Sequence, residues 1–154
     1  MSMRGLGAQA LFIDPKESST VTGKAPKMYS EPGQHIELLG QTGSGKTSSL
    51  LKITYNLWKV GETIIWRDDQ NLEFLSFLNV VPIRLWLPMG CDLLLRHPSI
   101  EKQWYDWQHP ASMIPRFDGD RMNIILFDLF TLDPSLTVEF WTDFISACYR
   151  YKQE

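Results

Sequence analysis

One stretch constrains this chain more than any other: Gly40-Gln41-Thr42-Gly43-Ser44-Gly45-Lys46-Thr47. It fits G-x-x-x-x-G-K-[ST], a spacing whose chemistry needs a strand before it and a helix after it. Both flanks are legible. His35-Ile36-Glu37-Leu38-Leu39 is a short apolar run that reads as a strand, and Thr47 to Trp58 reads as a helix. Glycines at 40, 43 and 45 let the backbone curl so that successive N–H groups converge on phosphate oxygens. The first turn of the helix, through Ser48, adds its unpaired N–H groups and the positive end of its dipole. Lys46 is expected to place a charge on the β- and γ-phosphates, and the Thr47 hydroxyl to ligate a phosphate-bound Mg²⁺. Gly40, Gln41, Thr42, Gly43, Ser44, Gly45, Lys46, Thr47 and Ser48 therefore form the expected nucleotide-binding set. No Asn-Lys-x-Asp guanine motif occurs, so ATP is the expected nucleotide.

Length and charge bound the rest. A chain of 154 residues is long enough to bury one core, and its net charge of −3 carries no bulk basic field for nucleic acid. Cys91 and Cys148 fit no C-x-x-C spacing and read as free thiols in a reducing cytoplasm. No apolar stretch is long enough to span a membrane, and the start, Met1 to Ile13, makes a poor signal peptide. A cytoplasmic protein without a membrane span is expected.

The order of elements points to an α/β fold. Residues 1–34, rich in Gly, Pro, Ser and Thr, read as an arm or linker with at most a short strand near Ala10–Ile13. A loosely ordered terminus is the plainer expectation, and an arm on a sheet edge or reaching a neighbouring subunit the alternative. Residues 35–154 read as the nucleotide-binding domain. After the loop, Leu50, Leu51, Thr54, Leu57 and Trp58 recur at helical spacing, and Gly61 ends that helix. Thr63-Ile64-Ile65-Trp66 reads as a second strand, completing a βαβ unit with the first. A short amphipathic helix over 72–78, a strand over 82–88 and a helix over 98–108 with Ile100, Trp104 and Trp107 as its stripe are expected next. Pro110, Pro115 and Asp118-Gly119-Asp120 mark loop. Met122 to Asp128 is the strongest strand, and a closing helix starts at Ser135 with Leu136, Phe140, Phe144, Ala147, Cys148 and Tyr151 on one face.

Hydrolysis requires carboxylates near the phosphates. Asp128 ends an apolar strand and is the candidate Mg²⁺ carboxylate, but Leu129 follows it, so no Asp-Glu pair stands there. Asp68, Asp69 and Glu73 follow the second strand and compete for a nucleotide-proximal role, with Lys46, Asp69 and Glu73 as the catalytic candidates. Asp69 also suits a plain cap on a helix starting at Asn71 or Leu72.

These pieces together resemble a family. The loop, its helix, and an apolar strand leading into Asp69-Gln70-Asn71-Leu72-Glu73-Phe74 are similar to the HerA/FtsK group of pumping ATPases, which includes conjugation, secretion and viral packaging motors. The family often has Asp-Pro-His-Gly-Glu-Tyr at the second motif, so spacing is kept while the middle residues differ. Asn123-Ile124-Ile125-Leu126-Phe127-Asp128-Leu129-Phe130 resembles the family strand that precedes its Asp-Glu strand. The resemblance implies a three-layer P-loop NTPase (RecA-like) core, a mostly parallel sheet flanked by helices and incomplete at the C-terminus. It also implies ATP as fuel, a hexameric ring and DNA or protein–DNA cargo. On that alignment Asp128 is not the Mg²⁺ ligand, and the Asp-Glu strand falls beyond Glu154.

Two further readings stay open. A small kinase acting on a nucleotide or metabolite suits the length, although Arg84, Arg96, Arg116 and Arg121 are scattered and form no arginine-rich lid. A non-hydrolysing nucleotide-binding assembly module follows if no catalytic base is present.

Overall fold

A computed structural model describes residues 8–12, 35–39, 41 and 43–153. The chain divides into two compact units, Met1–Val60 and Gly61–Glu154, each taken here by itself.

In the first unit, strand β1 (Ala8–Phe12) pairs in parallel with β2 (His35–Leu39), in register from Ala8↔His35 to Phe12↔Leu39. The short strand expected near Ala10–Ile13 thus begins two residues earlier and lies against the strand that leads into the glycine loop. Helix α1 (Lys46–Lys59) follows. Ser49, Ile53 and Thr54 are its buried positions and Leu50 is exposed, so its buried stripe is rotated from the one expected. The rest of the expected arm, residues 1–7 and 13–34, lies outside the described residues.

The second unit holds a four-stranded, all-parallel sheet in the order β3 (Ile65–Asp68), β6 (Met122–Leu126), β4 (Ile83–Pro88), β5 (Ile100–Tyr105). Every residue of β6 is buried, which is why it reads as an almost wholly apolar run: a central parallel strand is covered on both faces. The exception to its apolar character, Asn123, is fully satisfied. Its Oδ1 accepts from Trp86 Nε1 at 3.1 Å, and its Nδ2 donates to the carbonyls of Ile64 and Asp118, both at 3.0 Å.

Register sorts the side chains between two faces. Arg67, Ile125 and Trp86 share one, Trp66, Ile124 and Leu85 the other. Helix α2 (Pro134–Gln153) covers the first face with Phe140, Trp141, Phe144 and Ala147, packed on Trp86, Tyr105, Ile125 and Phe127. The expected helix start and most of its apolar face are observed. Trp141 joins that face, and Tyr151 is exposed instead. On the other face Trp66 meets Phe77 edge-on at 5.6 Å.

Two expectations are corrected. The helix over 98–108 does not form: Ile100–Tyr105 is strand β5, pairing with all six residues of β4 from Ile83↔Ile100 to Pro88↔Tyr105. Glu101, Lys102 and Gln103 favour helix locally, but the hydrogen bonds to β4 override so weak a preference. The charges of Glu101 and Lys102 suit an edge strand, whose open side would otherwise recruit another chain. Trp104, placed on a core stripe, is half-exposed and donates Nε1 to the Cys91 carbonyl at 2.8 Å.

Secondly, the helix over 72–78 is a 3₁₀ turn, Glu73–Phe77, and a second 3₁₀ segment, Pro110–Arg116, occupies part of the expected loop.

Candidate functional site

The glycine loop is built by local backbone geometry. Gly43 has φ 81° and Gly45 φ 85°, both in the left-handed region that other residues resist. A Cβ on Gly43 would meet nothing within 4 Å, so the glycine there serves conformation and not space. The Ser44 N–H closes a turn on the Gln41 carbonyl at 3.1 Å, Gly45 stands at the N-cap of α1, and Ser49 N–H makes a first helical bond back to Gly45 at 2.9 Å. No side chain caps this helix end, and its first turn contains no acidic residue. Such an end leaves N–H groups directed outward and presents nothing that repels an anion. Thr47 and Ser48 are exposed, and Lys46 is half-buried. Gly40 and Thr42 lie outside the described residues. What is described of this loop fits a phosphate group.

The carboxylate candidates belong to the second unit, at the C-terminal ends of β3 and β6, the sheet edge where open parallel sheets bind ligands. A cleft of about 500 Å³ opens there, lined in part by Asp69, Gln70, Asn71, Asp128 and Asp133. Asp69 and Asp128 are thus brought to one cleft.

Each carboxylate already has a partner. Asp69 Oδ1 accepts the Asn71 N–H at 2.7 Å, a local turn of the kind expected for a plain cap. Asp133 accepts the Ser135 N–H at 2.9 Å at the start of α2. Asp128 is held on both oxygens: Oδ2 accepts from Arg67 Nε at 2.9 Å and Nη2 at 2.7 Å, and Oδ1 accepts from Trp141 Nε1 at 2.6 Å. Arg67 also lies 4.8 Å from the centre of the Trp141 ring. So arranged, Asp128 has both oxygens engaged, Oδ2 by two donors and Oδ1 by one. No cluster of three or more potential metal-ligating His, Cys, Asp or Glu residues occurs among the described residues.

Asp68 caps the turn that begins at Glu73. It is buried, at 1% exposure, and its Oδ1 accepts the N–H groups of Asp69 and Glu73 at 2.9 and 3.1 Å, while Oδ2 accepts that of Phe74 at 2.8 Å. Burial nevertheless pushes its carboxyl above the ordinary value of 3.8, against the pull of those three donors. Glu73 is also raised, first by desolvation and then by the charges of Asp69 and Asp68. A raised carboxyl is the direction a general base or acid needs.

The Arg67–Asp128–Trp141 contact was invisible in sequence, because its members lie far apart in the chain and meet only through the β3–β6 pairing. The signal that existed was an arginine directly after the apolar Ile64-Ile65-Trp66.

No protein-family model, curated protein or solved structure matches this chain. What is established is therefore an α/β chain with an all-parallel four-stranded sheet flanked by helical segments. No helix among the described residues is long and apolar enough to cross a membrane.

Proposed function

We propose that this chain is an ATP-binding P-loop NTPase domain with a RecA-like core, part of a DNA-translocating, conjugation or packaging motor of the HerA/FtsK type. The observation that carries the reading is local. Within the motif, the described residues 41 and 43–47 follow strand β2 and lead into helix α1, with left-handed glycines at 43 and 45 and the helix opening at Lys46. That backbone is what a phosphate-cradling loop requires. The all-parallel sheet and the family-like spacing of Asp69 and Glu73 support the motor frame.

A second reading is a module that binds nucleotide and does not turn it over. The engagement of both Asp128 oxygens by Arg67 and Trp141 supports it only where Asp128 is taken as the Mg²⁺ carboxylate, which the motor alignment does not do. One experiment separates the two. A fluorescent ATP analogue is titrated into the chain with Mg²⁺, and phosphate release is followed with and without duplex DNA. Saturable binding lost in Lys46→Ala, with DNA-stimulated release, carries the motor. The same binding with no release carries the module. Undiminished binding by Lys46→Ala would sink both.

A further inference from the structure

The second unit carries another pocket, about 320 Å³, between the residues that follow β5 and the N-terminal half of α2. Trp107 gives it aromatic surface, Leu136 an apolar wall, the edge of buried Phe140 its floor, Gln108 an amide, and Glu139 and Asp143 two carboxylates. Its floor is fixed: Phe140 is buried and stacks on Phe127 at 4.0 Å, and Phe127 lies 6.3 Å from Trp107.

The carboxylates stand out. Glu139 and Asp143 are exposed, one helical turn apart on α2, where like charges repel. Neither has a hydrogen-bond or ionic partner among the described residues. That sets them apart from Asp69, Asp128 and Asp133 in the larger cleft, each of which is engaged.

We propose that this pocket binds an organic cation of the size of an arginine or lysine head group. Aromatic surface attracts such a cation through the ring quadrupole, and two carboxylates supply charge-assisted hydrogen bonds. An anion would be repelled, and a neutral guest would gain nothing from the charge of the two carboxylates. A bare metal ion would find two carboxylates against apolar walls, too few oxygen ligands for a hard cation. The site shares no residue with the nucleotide loop, so it stands or falls independently of the proposed function.

The test uses the full chain with ¹⁵N-labelled tryptophan, the Trp107 indole resonance being assigned with Trp107→Phe. Three compounds are titrated: N-acetyl-arginine-N-methylamide, a blocked tri-arginine peptide, and the neutral citrulline analogue of the first. The Trp107 signal is expected to move saturably with a cation and not with the citrulline compound. In Glu139→Gln/Asp143→Asn the affinity should fall about tenfold or more. Both substituted positions are exposed, and far-UV circular dichroism checks that the helix persists. Response to the single amino acid marks a free small cation as sufficient; response to the peptide alone marks a polypeptide partner; either supports the site. No response to either cation, an equal response to citrulline, or unchanged affinity in the double variant overturns it.

Discussion

Asp68→Asn tests the account of the carboxylate edge most directly. In the folded chain Asp68 Oδ1 takes the N–H groups of Asp69 and Glu73, and Oδ2 takes that of the buried Phe74. An asparagine keeps one acceptor oxygen. Placed at Oδ1, its amide group then faces the Phe74 N–H and leaves a buried donor without a partner, a cost of about 1–3 kcal/mol. An opposing effect reduces this, because the amide carries no charge to desolvate and burial is what raises the Asp68 carboxyl. The expected net loss near neutral pH is about 1–2 kcal/mol, with Asp68→Ala worse because all three donors lose their partner.

The pH dependence has a definite sign. The folded pKa of Asp68 lies above its unfolded value of 3.8, so the folded chain binds this proton more tightly. The stability contributed by that difference is fully present below 3.8 and is lost as pH rises through the folded value. Asp68→Asn lacks this titration, so the wild-type advantage should widen on acidification. Urea unfolding followed by tryptophan fluorescence, near pH 7 and below 3.8, reads both quantities. A loss under about 0.5 kcal/mol, or a gap that closes in acid, refutes the reasoning.

Phe140→Ala should remove about 3–5 kcal/mol in the same urea assay, because Phe140 is buried and contacts Tyr105, Phe127, Trp141 and Phe144. Arg67→Ala should cost no more than about 1 kcal/mol, since its side chain is 51% exposed. Asp128→Ala should cost more, about 1–2 kcal/mol, by also stripping the partner from Trp141 Nε1; a double-mutant cycle by urea unfolding measures the coupling.

Much of the fold was legible because strong signals were local. The run Met122–Leu126, apolar but for Asn123, read as a covered strand, and helix α2 announced itself through Phe140, Phe144 and Ala147 at helical spacing. Strand β5 was misread because Ile100, Trp104 and Trp107 happen to fall at helical intervals, while the pairing that makes it a strand lies in β4. The 3₁₀ turn at Glu73 was read as a full helical turn because Phe74 and Phe77 share a buried face in either geometry. At the candidate site, the sequence singled out Asp69 where the buried cap is Asp68, one residue earlier. Alternation along β3 places Asp68 inward and Asp69 just past the strand end, and a boundary shift of two residues was enough to confuse them.

The sequence by itself determined the glycine loop, since left-handed φ at Gly43 and Gly45 is a property of those residues and of their immediate neighbours. It also determined which runs are apolar enough to be strands. Tertiary structure decided what those residues can do. The order β3-β6-β4-β5 brings Arg67 to Asp128, and α2 brings Trp141 to its other oxygen. A carboxylate free in sequence is thereby committed in space, because hydrogen-bond partners are assigned by packing and not by position along the chain.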